Sequence, residues 1–94
     1  MYVEILKALA DEKRLQIMCL LFHGARCVCE IEPALKCSQS STSKHLIKLK
    51  QAGLIESQKK GQWVHYYIPE SVFSKYPFLK SLIEEVEQLR SREK

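Results

Sequence analysis

CSQSSTSKHLIKLKQAGLIESQKKGQWVHYY, residues 37–67, reads as a helix followed at once by a hairpin. Ser38 is a good N-cap, because its hydroxyl can accept from the free amides of a first helical turn. Thr42, Leu46 and Leu49 then fall on one face, and Ser40, Ser41, Lys44, Lys48 and Gln51 on the other, with His45 at the border. Ala52-Gly53 ends the helix. Two alternating segments follow, LIESQ and WVHYYI, joined around Lys59-Lys60-Gly61-Gln62, and a Gly at the tip of such a basic turn is a hairpin signal.

Charge singles out the same stretch. Residues 36–67 carry six lysines against Glu56 alone, a net +5, whereas residues 1–35 and 68–94 are close to neutral, so the chain's overall +4 is localised there. A localised excess is what a phosphate-neutralising surface requires, and short hydroxyls with long cations near a helix start suit base edges and phosphates. The expected duplex-DNA contacts are Ser40, Ser41, Ser43, Lys44, His45 and Lys48 from the helix, with Lys59, Lys60 and Gln62 from the hairpin. The hairpin lysines would add affinity rather than sequence choice.

Outward from this segment the chain reads as helices. Tyr2 to Ala10 presents Ile5, Leu6 and Leu9, after which Asp11 caps a second helix running to about His23, with Leu15, Met18, Cys19 and Phe22 recurring at three and four residues and Gly24 ending it. A shorter third helix is expected from Cys27 to about Lys36, turning Val28, Ile31 and Leu35 inward; Pro33 fits only in its first turn or at a kink. Pro69 and Pro77 punctuate the next stretch. FLKSLIEEVEQLRSREK then forms an amphipathic helix, more suited to pairing with a second copy than to covering the core.

These elements describe a mainly α chain with a β-hairpin, a winged helix-turn-helix in one domain over residues 1–94, with terminal helices for dimerisation. A chain of 94 residues buries only a little over half of its unfolded surface, and helix-turn-helix readers commonly grip two half-sites, so a homodimer is expected. No run approaches the ~20 apolar residues of a bilayer span and the N-terminus has no secretory pattern, which points to a cytoplasmic protein with no membrane partner. The four cysteines are accordingly expected to be free thiols.

Cys27-Val28-Cys29 is not needed for packing. Two thiols one residue apart at a helix start, with Arg26 beside them, suit a thiophilic ion such as As(III), Sb(III), Cd, Pb or Cu(I), and the helix terminus favours the thiolates. Cys37 and Cys19 are further candidate ligands. Cys37 lies eight residues beyond Cys29, about 12 Å along a straight helix, and Cys19 also reads as a small core residue. His23 and His65 read as surface or hairpin residues, and Trp63, Tyr66 and Tyr67 as hairpin packing.

LKALADEKRLQIMCLL, RCVCEI, SQSSTSKHLIKLKQAGLI and GQWVHYYI, in this order, resemble successive segments of the ArsR/SmtB metalloregulatory repressors, over roughly residues 5–90. The resemblance implies a homodimeric winged-helix repressor, with the first and last helices at the dimer interface and an inducer that releases operator DNA. The family's ELCVCDL metal motif is matched by Ala25 to Ile31, with both thiols kept. The third cysteine of arsenic-sensing relatives is replaced by Glu32, and the last helix lacks the histidines of the family's other metal site. Cys19 stands where thiol-redox relatives have their first cysteine, but the last helix holds no partner for it.

The leading expectation is therefore an operator-binding repressor released by a thiophilic metal or metalloid at Cys27 and Cys29, with no organic cofactor. The alternatives are the same reader controlled by thiol oxidation or persulfidation without a metal, and, more distantly, a thiol enzyme, for which no Gly-rich loop or acidic cluster is present.

Overall fold

A computed structural model describes residues 2–92. In chain order the elements are α1 (Tyr2–Leu9), α2 (Glu12–Phe22), β1 (Arg26–Cys27), α3 (Val28–Leu35), α4 (Gln39–Gln51), β2 (Glu56–Lys60), β3 (Trp63–Tyr67), α5 (Glu70–Lys75) and α6 (Phe78–Arg92). Asp11 makes the first sharp reversal: its carboxylate accepts from the Lys13 and Arg14 amides at 2.9 and 3.1 Å, capping α2. Arg14 fixes the same corner from the other side, donating through Nε to the Ala8 carbonyl at 2.6 Å and so satisfying the end of α1.

The second reversal explains how α3 begins. Arg26 pairs with Tyr66 and Cys27 with His65, forming a two-residue strand antiparallel to β3. Cys27 is therefore extended (φ −78°, ψ 157°) and serves as the N-cap, not as the first residue of the expected helix. Its Sγ accepts from the Cys29 amide at 3.0 Å, while Glu30 reaches back to the Cys27 amide at 3.0 Å, a capping box with sulfur in place of a hydroxyl. The sheet supplied backbone partners that local spacing could not reveal.

Pro33 is the sixth residue of α3, beyond the first turn, which was one of the two places open to it. Lacking an N–H, it cannot close the bond to the Cys29 carbonyl. The helix ends soon afterwards at Lys36, left-handed at φ 56°, and α2 satisfies its last carbonyls. Lys13 Nζ donates to Leu35 O at 2.7 Å, and Gln16 Nε2 to Ala34 O at 3.0 Å. These bonds hold the first helix of the helix-turn-helix while α4 starts at Ser38, whose Oγ accepts from the Ser41 amide at 3.2 Å as expected.

Ile17 and Met18 of α2 lie at the centre of the core with Ile31, Leu35, Leu46 and Leu49, all essentially sealed from solvent. Each fully buried side chain of this size stabilises the fold by about 2 kcal/mol relative to exposure. Thr42 is also buried, and its hydroxyl donates to Ser38 O at 2.9 Å, so no polar group is left orphaned there.

β2 and β3 form the expected hairpin, paired from Glu56–Tyr67 to Lys60–Trp63, and β3 is central in the order β1-β3-β2. The turn has two residues, and Gly61 at φ +63° supplies the left-handed position it needs. The short helix α5 was not foreseen. The last helix also differs from expectation: Leu79 and Ile83 bury it against the core alongside α2, while Leu89 remains exposed, so it closes the domain and still offers an outer face.

Partial burial pushes the Asp11 carboxyl up, but the Arg14 amide bond, the charges of Arg14 and His45 and the Lys13 amide outweigh it and hold the carboxyl below its usual 3.8. Its stabilising contribution is thus complete above that value and lost as pH falls through the lower folded-state value. Asp11→Ala should cost about 1 kcal/mol at neutral pH. In urea unfolding, the gap between wild type and variant should close below pH 4; a gap that is unchanged at pH 3 would contradict the capping role.

Candidate nucleic-acid interface and thiol site

Helix α4 turns Ser40, Lys44, Lys48 and Gln51 outward, because Thr42, Leu46 and Leu49 hold its opposite face to the core. Ser41 is exposed in the first turn, and Ser43 is half-buried at the flank. The half-buried His45 is held back toward α2, its Nδ1 3.3 Å from Arg14 Nη1 and 3.9 Å from Asp11 Oδ1. Lys59, Lys60 and Gln62 stand exposed at the hairpin end. Lys50, not among the expected contacts, donates to Ser57 Oγ at 2.7 Å and fastens α4 to β2.

Ile47 was missed from sequence. It is 53% exposed, between Lys44 and Lys48 on the outward face. A large aliphatic group in that place adds nothing to the core, and the only available sign was its position opposite the Thr42/Leu46/Leu49 stripe.

The two clustered cysteines differ in their surroundings. Cys27 is buried at 3% exposure, while Cys29, at the second position of α3, is exposed. Their sulfurs are joined as a disulfide across a Cα–Cα distance of 5.2 Å, so this pair departs from the expectation of free thiols. The extended backbone at Cys27 brings the sulfur back over the first turn of α3, and the Cα spacing falls in the range a disulfide spans. Cys19 and Cys37 are free.

Neither of those joins the pair. Cys19 packs between α2 and α6, with its Sγ 4.0 Å from the Ile83 carbonyl, and Cys37 lies at the far end of α3, donating to Leu35 O at 3.7 Å. Burial pushes the Cys19 thiol up, Glu87 pushes it further and Arg90 opposes them. Among the described residues no three His, Cys, Asp or Glu side chains already converge on a metal-sized site. What stands ready, once reduced, is a bidentate pair of soft donors. No helix of the described residues is long and apolar enough to cross a membrane.

The family model for the bacterial regulatory protein arsR family matches residues 11–57, from the Asp11 cap through α4 into β2. This chain belongs to the ArsR family. It is 46% identical over 65 residues to the arsenical resistance operon repressor of Escherichia coli K12, a match that takes in 68% of this chain and 56% of that protein, so the chain spans little more than half of that relative. Among solved structures it is similar to HlyU from Vibrio cholerae, at a TM-score of 0.76 and 37% identity, covering 94% of this chain and 89% of that one. It is also similar to the homodimeric winged helix-turn-helix DNA-binding domain of a protein from Mycobacterium bovis. There the TM-score is 0.76 and the identity 32%, over 93% of this chain and 82% of that one. These likenesses agree with the winged-helix architecture.

The unequal surroundings of the cysteines in this ArsR-family chain can be read chemically. After reduction, limiting iodoacetamide at neutral pH should modify exposed Cys29 before the buried Cys19 and Cys27, since reaction requires an accessible thiolate. Peptide mass spectrometry resolves the order, and early labelling of Cys19 would contradict the burial described here.

Proposed function

We propose that this protein is a homodimeric, DNA-binding transcriptional repressor that leaves its operator when a thiophilic metal or metalloid, such as As(III) or Sb(III), binds the dithiol form of Cys27 and Cys29. The DNA-binding reading is carried by the outward face of α4, where Ser40, Lys44, Ile47, Lys48 and Gln51 stand exposed on a helix anchored by its opposite side. Hydroxyls, amide and ammonium groups suit base edges and phosphates in a major groove, and Ile47 suits a thymine methyl. Lys59 and Lys60 supply charge from the hairpin.

The homodimer has independent support. Tyr2, Val3 and Leu6 of α1 and Leu89 of α6 are all more than half exposed, an apolar excess at the two terminal helices that pairing would cover. Two copies related by a two-fold axis would present two α4 helices to successive major-groove half-sites. Such a regulator works where the DNA is, in the cytoplasm.

Control by a soft ion is supported by the donor set, two sulfurs at the start of α3 with one open to solvent. Binding releases DNA only if the ion favours a dimer geometry that fits the half-sites poorly. A coupling of about 3 kcal/mol lowers DNA affinity more than a hundredfold. The Cys27–Cys29 disulfide favours a second reading, in which the two thiols lose two protons and two electrons to an oxidant such as a peroxide, and this closure itself is the signal.

One experiment separates these readings. Reduced protein is used to select duplexes from a random pool, and affinity for the winners is followed by fluorescence anisotropy. Lys59→Ala with Lys60→Ala should weaken binding to all duplexes and lower the salt slope by about 1 per lysine, whereas Lys44→Ala or Ile47→Ala should change which duplex is preferred. Arsenite should release wild type and Cys37→Ser but neither Cys27→Ser nor Cys29→Ser. Release by peroxide alone, reversed by dithiothreitol, supports the oxidation reading, and failure to enrich any duplex overturns the DNA-binding proposal.

A further inference from the structure

We infer that His65, on the hairpin, is a third donor to a cation held by Cys27 and Cys29, making a site of two thiolates and one imidazole shared between the start of α3 and β3. This rests on the thiol sensor proposed above and names the donor that its two sulfurs lack.

The register supplies the proximity. Cys27 and His65 are direct partners across β1 and β3. Directly opposed residues of an antiparallel pair have Cα atoms about 5 Å apart and side chains on one face of the sheet. Which face follows from the alternation of β3. Tyr66 and Ile68 pack against the hydrophobic core, so His65, between Val64 and Tyr66, turns to the other side. Cys27 shares that side, being buried yet standing outside the contiguous core cluster.

The imidazole itself shows an unmet demand. His65 Nδ1 is sealed from solvent and has no hydrogen-bond partner, the only such orphan nitrogen or oxygen among the buried side-chain atoms of the described residues. Burying a polar group without a partner is costly, and such atoms call for a specific explanation. A nitrogen lone pair directed at a cation beside the thiolates would satisfy it. Among the described residues no three donors converge in the present arrangement, so the site requires the His65 side chain to turn toward the sulfur of Cys27, the residue it pairs with across the strands.

The donor set also selects the ion. Two thiolates and a neutral imidazole suit a thiophilic divalent cation that tolerates nitrogen, such as Cd(II), better than a metalloid seeking a third thiolate. Bound in this way, the ion would staple β1 to β3 at the residue that pairs on its far side with Gln58, next to the Lys59–Val64 pair. A signal at the thiols would thus reach the hairpin directly as well as through α3 and α4.

The test uses the full chain, reduced, and Cd(II) as the added metal. Binding is followed by sulfur-to-cadmium absorption in the ultraviolet and by long-range 1H–15N spectra of the imidazoles. The expected result is a cysteine-dependent absorption band and a displaced His65 Nδ1 resonance, with those of His23 and His45 unmoved. His65→Ala, shown to be folded by circular dichroism, should bind Cd(II) at least tenfold more weakly while keeping the sulfur band. An unmoved Nδ1 signal in wild type, or wild-type affinity in the variant, overturns the role of His65 and leaves the thiol sensor standing. Cd(II) binding that is absent, or indifferent to Cys27→Ser and Cys29→Ser, overturns both.

Discussion

Two backbone pairings, Arg26 with Tyr66 and Cys27 with His65, set what the thiol pair can influence. Without them residues 26 and 27 would belong to a loop, and the cysteines would be attached to α3 alone. With them, Cys27 is at once the end of a strand and the cap of a helix, and its sulfur sits where the sheet and α3 meet. In the proposed switch, a change in bonding at that sulfur would act on both. Strand pairs and helix caps are discrete arrangements rather than soft springs, which is the property a two-state element needs to convert a local bond into a change elsewhere.

The rest of the body is organised to hold α4 rigidly while leaving one face of it free. α2 does most of this work: Asp11 and Arg14 close its start onto α1, Lys13 and Gln16 satisfy the end of α3, and Ile17 and Met18 fill the core beneath α4. His45 is drawn toward the same corner by Arg14. A helix presented to DNA loses specificity if it rocks, so under the proposed function bonds far from the exposed face would contribute to reading through positioning. The hairpin is joined to this frame by Lys50 and Ser57 at one side and by β1 at the other.

The sequence was most legible where structure is local. Ser38, the Thr42/Leu46/Leu49 stripe and Gly61 each act through neighbours within a few residues, and the α4 cap, its buried face and the hairpin turn stand where those signals place them. The start of α3 was not legible, because Cys27 owes its extended conformation to His65, far along the chain. For the same reason His65 read as an ordinary hairpin residue: its orphan nitrogen and its shared face with Cys27 exist only once β1 pairs with β3. The thiol pair was visible as a motif, but its closure into a disulfide depends on that same strand-to-helix corner.

Amide hydrogen exchange in the reduced protein, with and without Cd(II), tests most directly whether the thiol site and the hairpin form one mechanical unit. Slower exchange across Cys27 and β3, reaching the hairpin pairs beyond His65, is the expected result. Protection confined to the first turn of α3, with β3 exchanging as before, would contradict the coupling on which the proposed switch depends.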